Sequence, residues 1–99
     1  MKIIIQTPHF TPTVALSNFV EEKVNGLSHL YDRIETANII LKVEKSDTTA
    51  DKVFEIRLGI PGNDLFVKKH STSFEDAATM AIDALYEQIE KMKTKLQHH

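Results

Sequence analysis

The sequence predicts an α+β domain in which two helices cover one face of a four-stranded mixed sheet, in the order β-α-β-β-β-α. Residues 36–45 are the longest run of strand-favouring residues, and in residues 53–60 every second residue from Phe54 to Ile60 is apolar. Residues 65–70 are a third strand of the meander, with Leu65 and Val67 pointing inward. Two longer stretches instead carry apolar residues at spacings of three and four, which indicates amphipathic helices. One two-layer sandwich accommodates all of these elements, so we expect a single domain over residues 1–99.

The first half of the chain predicts a strand followed by a helix. Ile3-Ile4-Ile5-Gln6 is a short strand, and Thr13 is suited to be the N-cap of the helix. The Asn25-Gly26 pair is typical of a turn, but the apolar periodicity stays in phase beyond it, so one continuous helix through Tyr31 is expected. The apolar stripe of this helix is Leu16, Phe19, Val20, Val24, Leu27, Leu30 and Tyr31.

The central strand, residues 36–45, has one apolar face and one mixed face. The apolar face holds Ile39, Leu41 and Val43, and the mixed face holds Ile40, Lys42 and Glu44. A right-handed crossover makes the first two strands parallel, and residues 46–51 and Pro61-Gly62 predict the two turns of an antiparallel meander.

The C-terminal helix is predicted to begin after Ser73, a suitable N-cap, with Glu75 and Asp76 placed where the helix dipole favours acids. Its expected buried stripe is Phe74, Ala78, Ala81, Leu85, Ile89, Met92 and Leu96.

Composition excludes several classes of site. The chain has no cysteine, which excludes a disulfide framework, a thiolate metal site and a thiol nucleophile. No apolar stretch reaches the length of a membrane span or a signal-peptide core, so we expect a cytoplasmic protein with no membrane contact. The net charge of −2 is unevenly distributed, because residues 71–90 carry acids without a base and residues 91–99 carry three lysines without an acid.

Neither catalysis nor a cofactor is predicted. The three glycines form no dinucleotide fingerprint or phosphate loop, and His9, His29 and His70 show no metal-ligand spacing. We therefore expect no catalytic residue, no metal site and no cofactor. A small hydrolase or metal site assembled from these histidines is the weak alternative.

Two basic regions predict nucleic-acid binding. Lys91, Lys93 and Lys95 at the tip of the last helix could contact phosphates, although lysines also simply complement a helix C-terminus. On the open sheet face, basic side chains surround an aromatic ring, an arrangement that can stack bases. These residues are Lys42, Arg57 and Lys68 around Phe66. The alternatives are a solvated face, or a protein-interaction module that dimerises around Ile40, Val53 and Phe66.

Three stretches resemble one known family. They are Leu27-Ser28-His29-Leu30-Tyr31-Asp32-Arg33-Ile34, Leu41-Lys42-Val43-Glu44-Lys45, and Ala81-Ile82-Asp83 leading to the lysine tip. In order, spacing and length, the chain resembles the short hibernation-promoting factor and ribosome-associated inhibitor family, also labelled sigma-54 modulation proteins. The chain has neither the second domain of long members nor an acidic tail extension, so the short promoting factor is the nearer likeness.

The resemblance implies a protein that binds the small ribosomal subunit in the mRNA–tRNA channel and silences idle ribosomes. It also implies a monomer or weak dimer, and it allows a separate partner protein that dimerises ribosomes. The residues it assigns to ribosomal RNA are Lys23, Arg33, Lys42, Lys45, Lys91, Lys93 and Lys95. Lys68 and Lys69 are added from the charge pattern alone.

Overall fold

The predicted order of elements is confirmed by a computed structural model that describes residues 1–45 and 50–97. The strands are β1 (Lys2–Gln6), β2 (Thr36–Lys45), β3 (Ala50–Gly59) and β4 (Leu65–Ser71), and the helices are α1 (Val14–Leu30) and α2 (Phe74–Gln97). Most of the turn predicted at residues 46–51 lies outside the described residues, as does the side chain of Leu96.

The four strands lie in chain order, with β1 parallel to β2 and the other neighbours antiparallel. Ile5 pairs with Ile39, Ile39 with Ile56 and Ile56 with Val67, so one row of branched side chains crosses the whole sheet. Side chains two residues apart in a strand share a face, so this row identifies the helix-covered face on every strand. The opposite face, which no described helix covers, is called the open face below.

Helix α1 begins where the sequence predicts and ends at Leu30, one residue before the predicted end, with Tyr31 as its C-cap. The hydroxyl oxygen of Thr13 accepts a hydrogen bond of 3.1 Å from the Leu16 amide, and the Tyr31 amide donates to the Leu27 carbonyl at 3.0 Å. The helix continues without a break through Gly26, where it approaches α2 closely. A Cβ atom at position 26 would lie 3.2 Å from the hydroxyl oxygen of Tyr86.

The turn between β3 and β4 has the predicted type II geometry. Gly62 has a φ of 79°, which a residue without a side chain adopts readily, and the Asn63 amide donates to the Ile60 carbonyl at 3.0 Å. Asp64 Oδ1 also accepts a hydrogen bond of 3.2 Å from the Ile60 amide. The turn therefore fixes the register of β3 against β4.

Helix α2 is capped by Ser73, whose hydroxyl oxygen accepts from the Asp76 amide at 3.1 Å. Its predicted stripe is buried through Met92, and Ala77 and Ile82 are buried as well. Together with the apolar side chains of α1, these residues cover the central strands, where Phe54 and Leu41 are fully buried. Burial of each large apolar side chain contributes about 1.5–3 kcal/mol to stability.

Candidate RNA-binding surfaces

The C-terminal end of α2 lies beside the β3–β4 turn, where Asn63 and Leu65 line the same cavity as the last turns of the helix. Lys91 and Lys95 are exposed on this end and line a shallow cavity of about 250 Å³ beside the β3–β4 turn. Two cations four residues apart on a helix are neighbours on its surface, so they can contact adjacent phosphates.

Lys93, the third predicted lysine of this tip, contacts the protein itself. Its Nζ donates a hydrogen bond of 3.2 Å to the Leu30 carbonyl at the end of α1 and lies 3.7 Å from Glu90. The side chain is only 33% exposed. Lys93 therefore fastens one helix to the other, in keeping with its spacing in the sequence, which places it opposite Lys91 and Lys95 beside the buried seam.

Two of the remaining predicted residues lie on or next to α1. Arg33 is exposed in the segment after the helix, beside a cavity of about 480 Å³ that it shares with Asp32 and Glu35. Lys23 is exposed on the helix itself, with its Nζ 5.7 Å from the centre of the Phe19 ring. Acidic neighbours lower the positive potential at both positions, since Glu22 also flanks Lys23.

The open face confirms the predicted grouping of Lys42, Arg57 and Lys68 on one side of the sheet. Its cations alternate with acids in an ion-pair network. Lys42 Nζ lies 2.7 Å from Glu55 Oε2 and 3.8 Å from Glu44 Oε1, and Lys68 Nζ lies 3.0 Å from the same Glu44 oxygen. The charge of these two lysines is therefore largely balanced within the protein.

The ion pairs shift two pKa values. The hydrogen bond to Glu55 raises the pKa of Lys42 above its ordinary value, and the charges of Glu55 and Glu44 add to the effect. The hydrogen bond from Lys68 lowers the pKa of Glu44, helped by the charge of the same lysine. Both groups therefore stay charged over a wider pH range than they would in isolation.

The predicted apolar patch of the open face is smaller than expected. Phe66 is 46% exposed, but Val53 is fully buried, so it offers no surface to a second copy. Val53 lies between Lys42 and His70 in the sheet register, and these longer side chains shield it. The proposed dimer contact around Ile40, Val53 and Phe66 is wrong in this respect.

The last two predicted lysines lie on the helix-covered side of the sheet. Lys69 is opposite Phe54 and is partly buried. Lys45 is exposed and lines a cavity of about 460 Å³ together with His9, Phe10, Val43 and Lys52. Lys52 was not among the residues predicted from the sequence. It lies two positions before Phe54 in β3, so the alternation of that strand places it on the same side of the sheet.

Six of the nine predicted residues thus lie in three separate regions and not in one patch. Lys91, Lys95 and Arg33 lie near the end of the domain formed by the helix C-termini, Lys42 and Lys68 lie on the open face, and Lys45 lies at the opposite end.

The histidines of the weak alternative lie on three different parts of the fold. His9 follows β1, His29 lies in the last turn of α1, and His70 is on the open face with its Nδ1 3.4 Å from Asp51. Within residues 1–45 and 50–97, no three acidic or histidine side chains gather as metal ligands would. No helix in that part of the chain is long and apolar enough to cross a membrane.

Comparison with solved structures finds the same fold. A ribosomal subunit interface protein from Coxiella burnetii aligns with a TM-score of 0.84 at 20% identity, covering 95% of this chain and 99% of that one. The N-terminal domain of Protein Y from Thermus thermophilus aligns with a TM-score of 0.79 at 23% identity, covering 93% and 99%.

Sequence comparison identifies the family. The Ribosome hibernation promoting factor of Klebsiella oxytoca is 33% identical over 87 residues, which are 88% of this chain and 87% of the relative. The factor of the same name from Pseudomonas putida KT2440 is 29% identical over 97 residues, 98% of this chain and 91% of the relative. The family model described as "Sigma 54 modulation protein / S30EA ribosomal protein" matches residues 3–97. The chain therefore belongs to this family of ribosome hibernation factors.

Proposed function

We propose that this chain inhibits translation by binding the small ribosomal subunit in the mRNA–tRNA channel, and that it silences idle ribosomes in the cytoplasm. The observation that carries the proposal is the family match, which extends over residues 3–97 and includes relatives named as hibernation promoting factors. The mechanism is occupancy of the channel, without chemical catalysis. In this proposal the chain acts as a monomer or weak dimer, and a separate partner protein could dimerise ribosomes.

Phosphate contacts supply most of the affinity in this proposal. A cation binds a phosphate best when it is exposed and does not have to leave an ion pair first. Lys91 and Lys95 are exposed at the C-terminal end of α2, and neither has an acidic partner within residues 1–45 and 50–97; Arg33 lies near the same end. These three side chains, with Lys23 and Lys45, are the principal proposed contacts.

The other four predicted lysines contribute less to phosphate binding. Lys42 and Lys68 are held by Glu44 and Glu55, and Lys93 is held by the Leu30 carbonyl. Lys69 is partly buried on the helix-covered side of the sheet. Each would have to give up protein contacts or burial before reaching RNA.

Co-sedimentation with purified small ribosomal subunits tests the proposal. Affinity is measured at several salt concentrations for the wild type and for the double variant Lys91→Gln Lys95→Gln. We expect binding that weakens with salt, and a slope of log affinity against log salt that falls by about one for each lysine removed.

The matched control is the double variant Lys42→Gln Lys68→Gln, which removes the same total charge from the open face. Because both lysines already neutralise acids, we expect its salt slope to stay closer to that of the wild type. If the control lowered the salt slope more than Lys91→Gln Lys95→Gln does, the phosphate contacts would be assigned to the sheet instead. Absence of binding at low salt would refute the proposed function.

A further inference from the structure

A cavity of about 430 Å³ lies at the centre of the open face, and all four strands contribute to it. Its lining residues are Gln6 from β1, Asn38 and Ile40 from β2, Glu55, Ile56 and Arg57 from β3, and Phe66 from β4. The pairing of Asn38 with Arg57, and of Arg57 with Phe66, places these three side chains in one row across neighbouring strands. The cavity lies on rigid strands and not on loops.

The row contains a preformed stacking surface. The Arg57 guanidinium lies 5.2 Å from the centre of the Phe66 ring, and the ring is 46% exposed although it is large and apolar. Planar guanidinium and aromatic groups are the two surfaces on which proteins stack unpaired bases of RNA. The arrangement is already assembled without a ligand, so little conformational entropy is lost on binding.

The rim of the cavity favours a base over a phosphate. Gln6 and Asn38 are exposed amides, which can donate to and accept from the edge of a base. Glu55 contributes a carboxylate to the lining, which would repel a phosphate. The nearby Lys42 is engaged by that same carboxylate at 2.7 Å. The cavity thus combines a flat surface with neutral hydrogen-bonding groups, and the cation in its lining, Arg57, lies against the Phe66 ring.

We propose that this cavity binds an unpaired nucleobase of RNA, stacked on Phe66 and Arg57, with Asn38 and Gln6 contacting the edge of the base. This proposal rests on the proposed function, because the base that it assigns to the cavity belongs to the ribosomal RNA. A protein that occupies an RNA-lined channel is contacted on more than one side. A base on the open face is therefore compatible with phosphates at the end of α2.

The test uses the variant Phe66→Trp, because the chain has no tryptophan and the indole becomes a unique fluorophore. Its fluorescence is measured while a single-stranded oligoribonucleotide, or a duplex RNA with the same number of phosphates, is added at low salt. Stacking should quench the indole with the single strand and leave it nearly unchanged with the duplex, whose bases are paired. Equal quenching by both RNAs, or none by the single strand, would overturn the stacking site.

Affinity for small ribosomal subunits gives a second readout. Phe66→Leu keeps apolar bulk but removes the ring, and we expect it to weaken binding about tenfold at every salt concentration with an unchanged salt slope. Phe66→Trp should bind like the wild type. Met80→Ala, which truncates a residue that is 45% exposed on α2, is the control and should leave affinity unchanged.

The outcomes separate this inference from the proposed function. Wild-type binding to subunits with no loss in Phe66→Leu would refute the base site alone. Failure of the wild type to bind subunits would refute the proposed function, while quenching by the single strand would still support the base site. A change of oligomeric state in Phe66→Leu, seen by light scattering without RNA, would instead assign the face to a second copy of the chain. Thermal unfolding checks that each variant is folded.

Discussion

Lys93 Nζ donates a hydrogen bond to the Leu30 carbonyl oxygen at 3.2 Å, so a cation of α2 satisfies the last turn of α1. The final carbonyls of a helix have no partner within the helix and carry the negative end of its dipole. A lysine placed there supplies both a donor and a favourable charge. The contact joins residues 63 positions apart and holds the C-terminal ends of the two helices together.

Replacing Lys93 should therefore change stability more than RNA binding. Lys93→Met keeps most of the aliphatic stem but removes the donor, and we expect a loss of about 1 kcal/mol in the free energy of unfolding. Urea denaturation measures this loss. Lys91→Met is the matched control on an exposed position of the same helix and should change stability by less than about 0.5 kcal/mol. Equal effects of the two variants would contradict a capping role for Lys93.

The close approach of α1 to α2 at Gly26 gives a second prediction. A glycine inside a helix costs about 1 kcal/mol relative to alanine, but a Cβ atom here would lie 3.2 Å from the Tyr86 hydroxyl oxygen. Gly26→Ala should therefore gain less than the full propensity difference. In the background of Tyr86→Phe, which lacks the hydroxyl, Gly26→Ala should raise the free energy of unfolding by about 1 kcal/mol.

A double-mutant cycle of urea unfolding measures this coupling between Gly26 and Tyr86. The expected coupling is favourable, because the second substitution removes the atom that the first one meets. Additive effects of the two substitutions would show that the Tyr86 ring moves aside without cost.

The open-face network predicts a pH dependence of stability. The pKa of Glu44 is lowered in the folded state by its hydrogen bond from Lys68. A carboxyl whose pKa is lowered in the folded state stabilises that state at pH values above its ordinary pKa. This stabilisation is lost as the pH falls through the lowered pKa. We expect the difference in unfolding free energy between wild type and Glu44→Gln to be present at neutral pH and to vanish on acidification.

An NMR titration checks the cause directly. The Glu44 carboxyl should titrate at a lower pH in the wild type than in Lys68→Met, where the hydrogen-bond donor is gone. Because both side chains are partly exposed, the difference should also shrink at high salt. An unchanged Glu44 titration in Lys68→Met would contradict the assigned cause.

Local chemistry in the sequence was sufficient for the fold. The alternation of residues 36–45 gave the correct buried face because a shift by one residue would have turned every apolar side chain to solvent. Thr13, Ser73 and Gly62 act where short-range hydrogen bonding and backbone sterics require them. These features depend on neighbours within a few residues, so they are visible in the sequence.

The candidate site was predicted only in part, because its properties depend on contacts distant in sequence. The charge of Lys42 could be read from the sequence, but its pairing with Glu55 depends on the register across two strands. The spacing of Lys93 placed it beside the buried seam, but its partner, the Leu30 carbonyl, is set by the packing of α1 against α2. The burial of Val53 likewise depends on the side chains of both neighbouring strands, and not on its own alternation.

The stacked pair of Phe10 and Phe74 gives the last prediction. Their ring centroids are 5.1 Å apart with an interplanar angle of 14°, so the segment between β1 and α1 is fastened to the first residue of α2. Aromatic pairs contribute about 0.5–1.5 kcal/mol beyond their buried area. Phe10→Leu keeps apolar bulk and should lose about 1 kcal/mol of stability, whereas Phe10→Ala should lose about 2 kcal/mol, because Phe10 is only partly buried. Urea unfolding measures both losses, and hydrogen exchange should show faster opening at the start of α2. If Phe10→Leu were as stable as the wild type, the stacking geometry would contribute nothing beyond apolar contact.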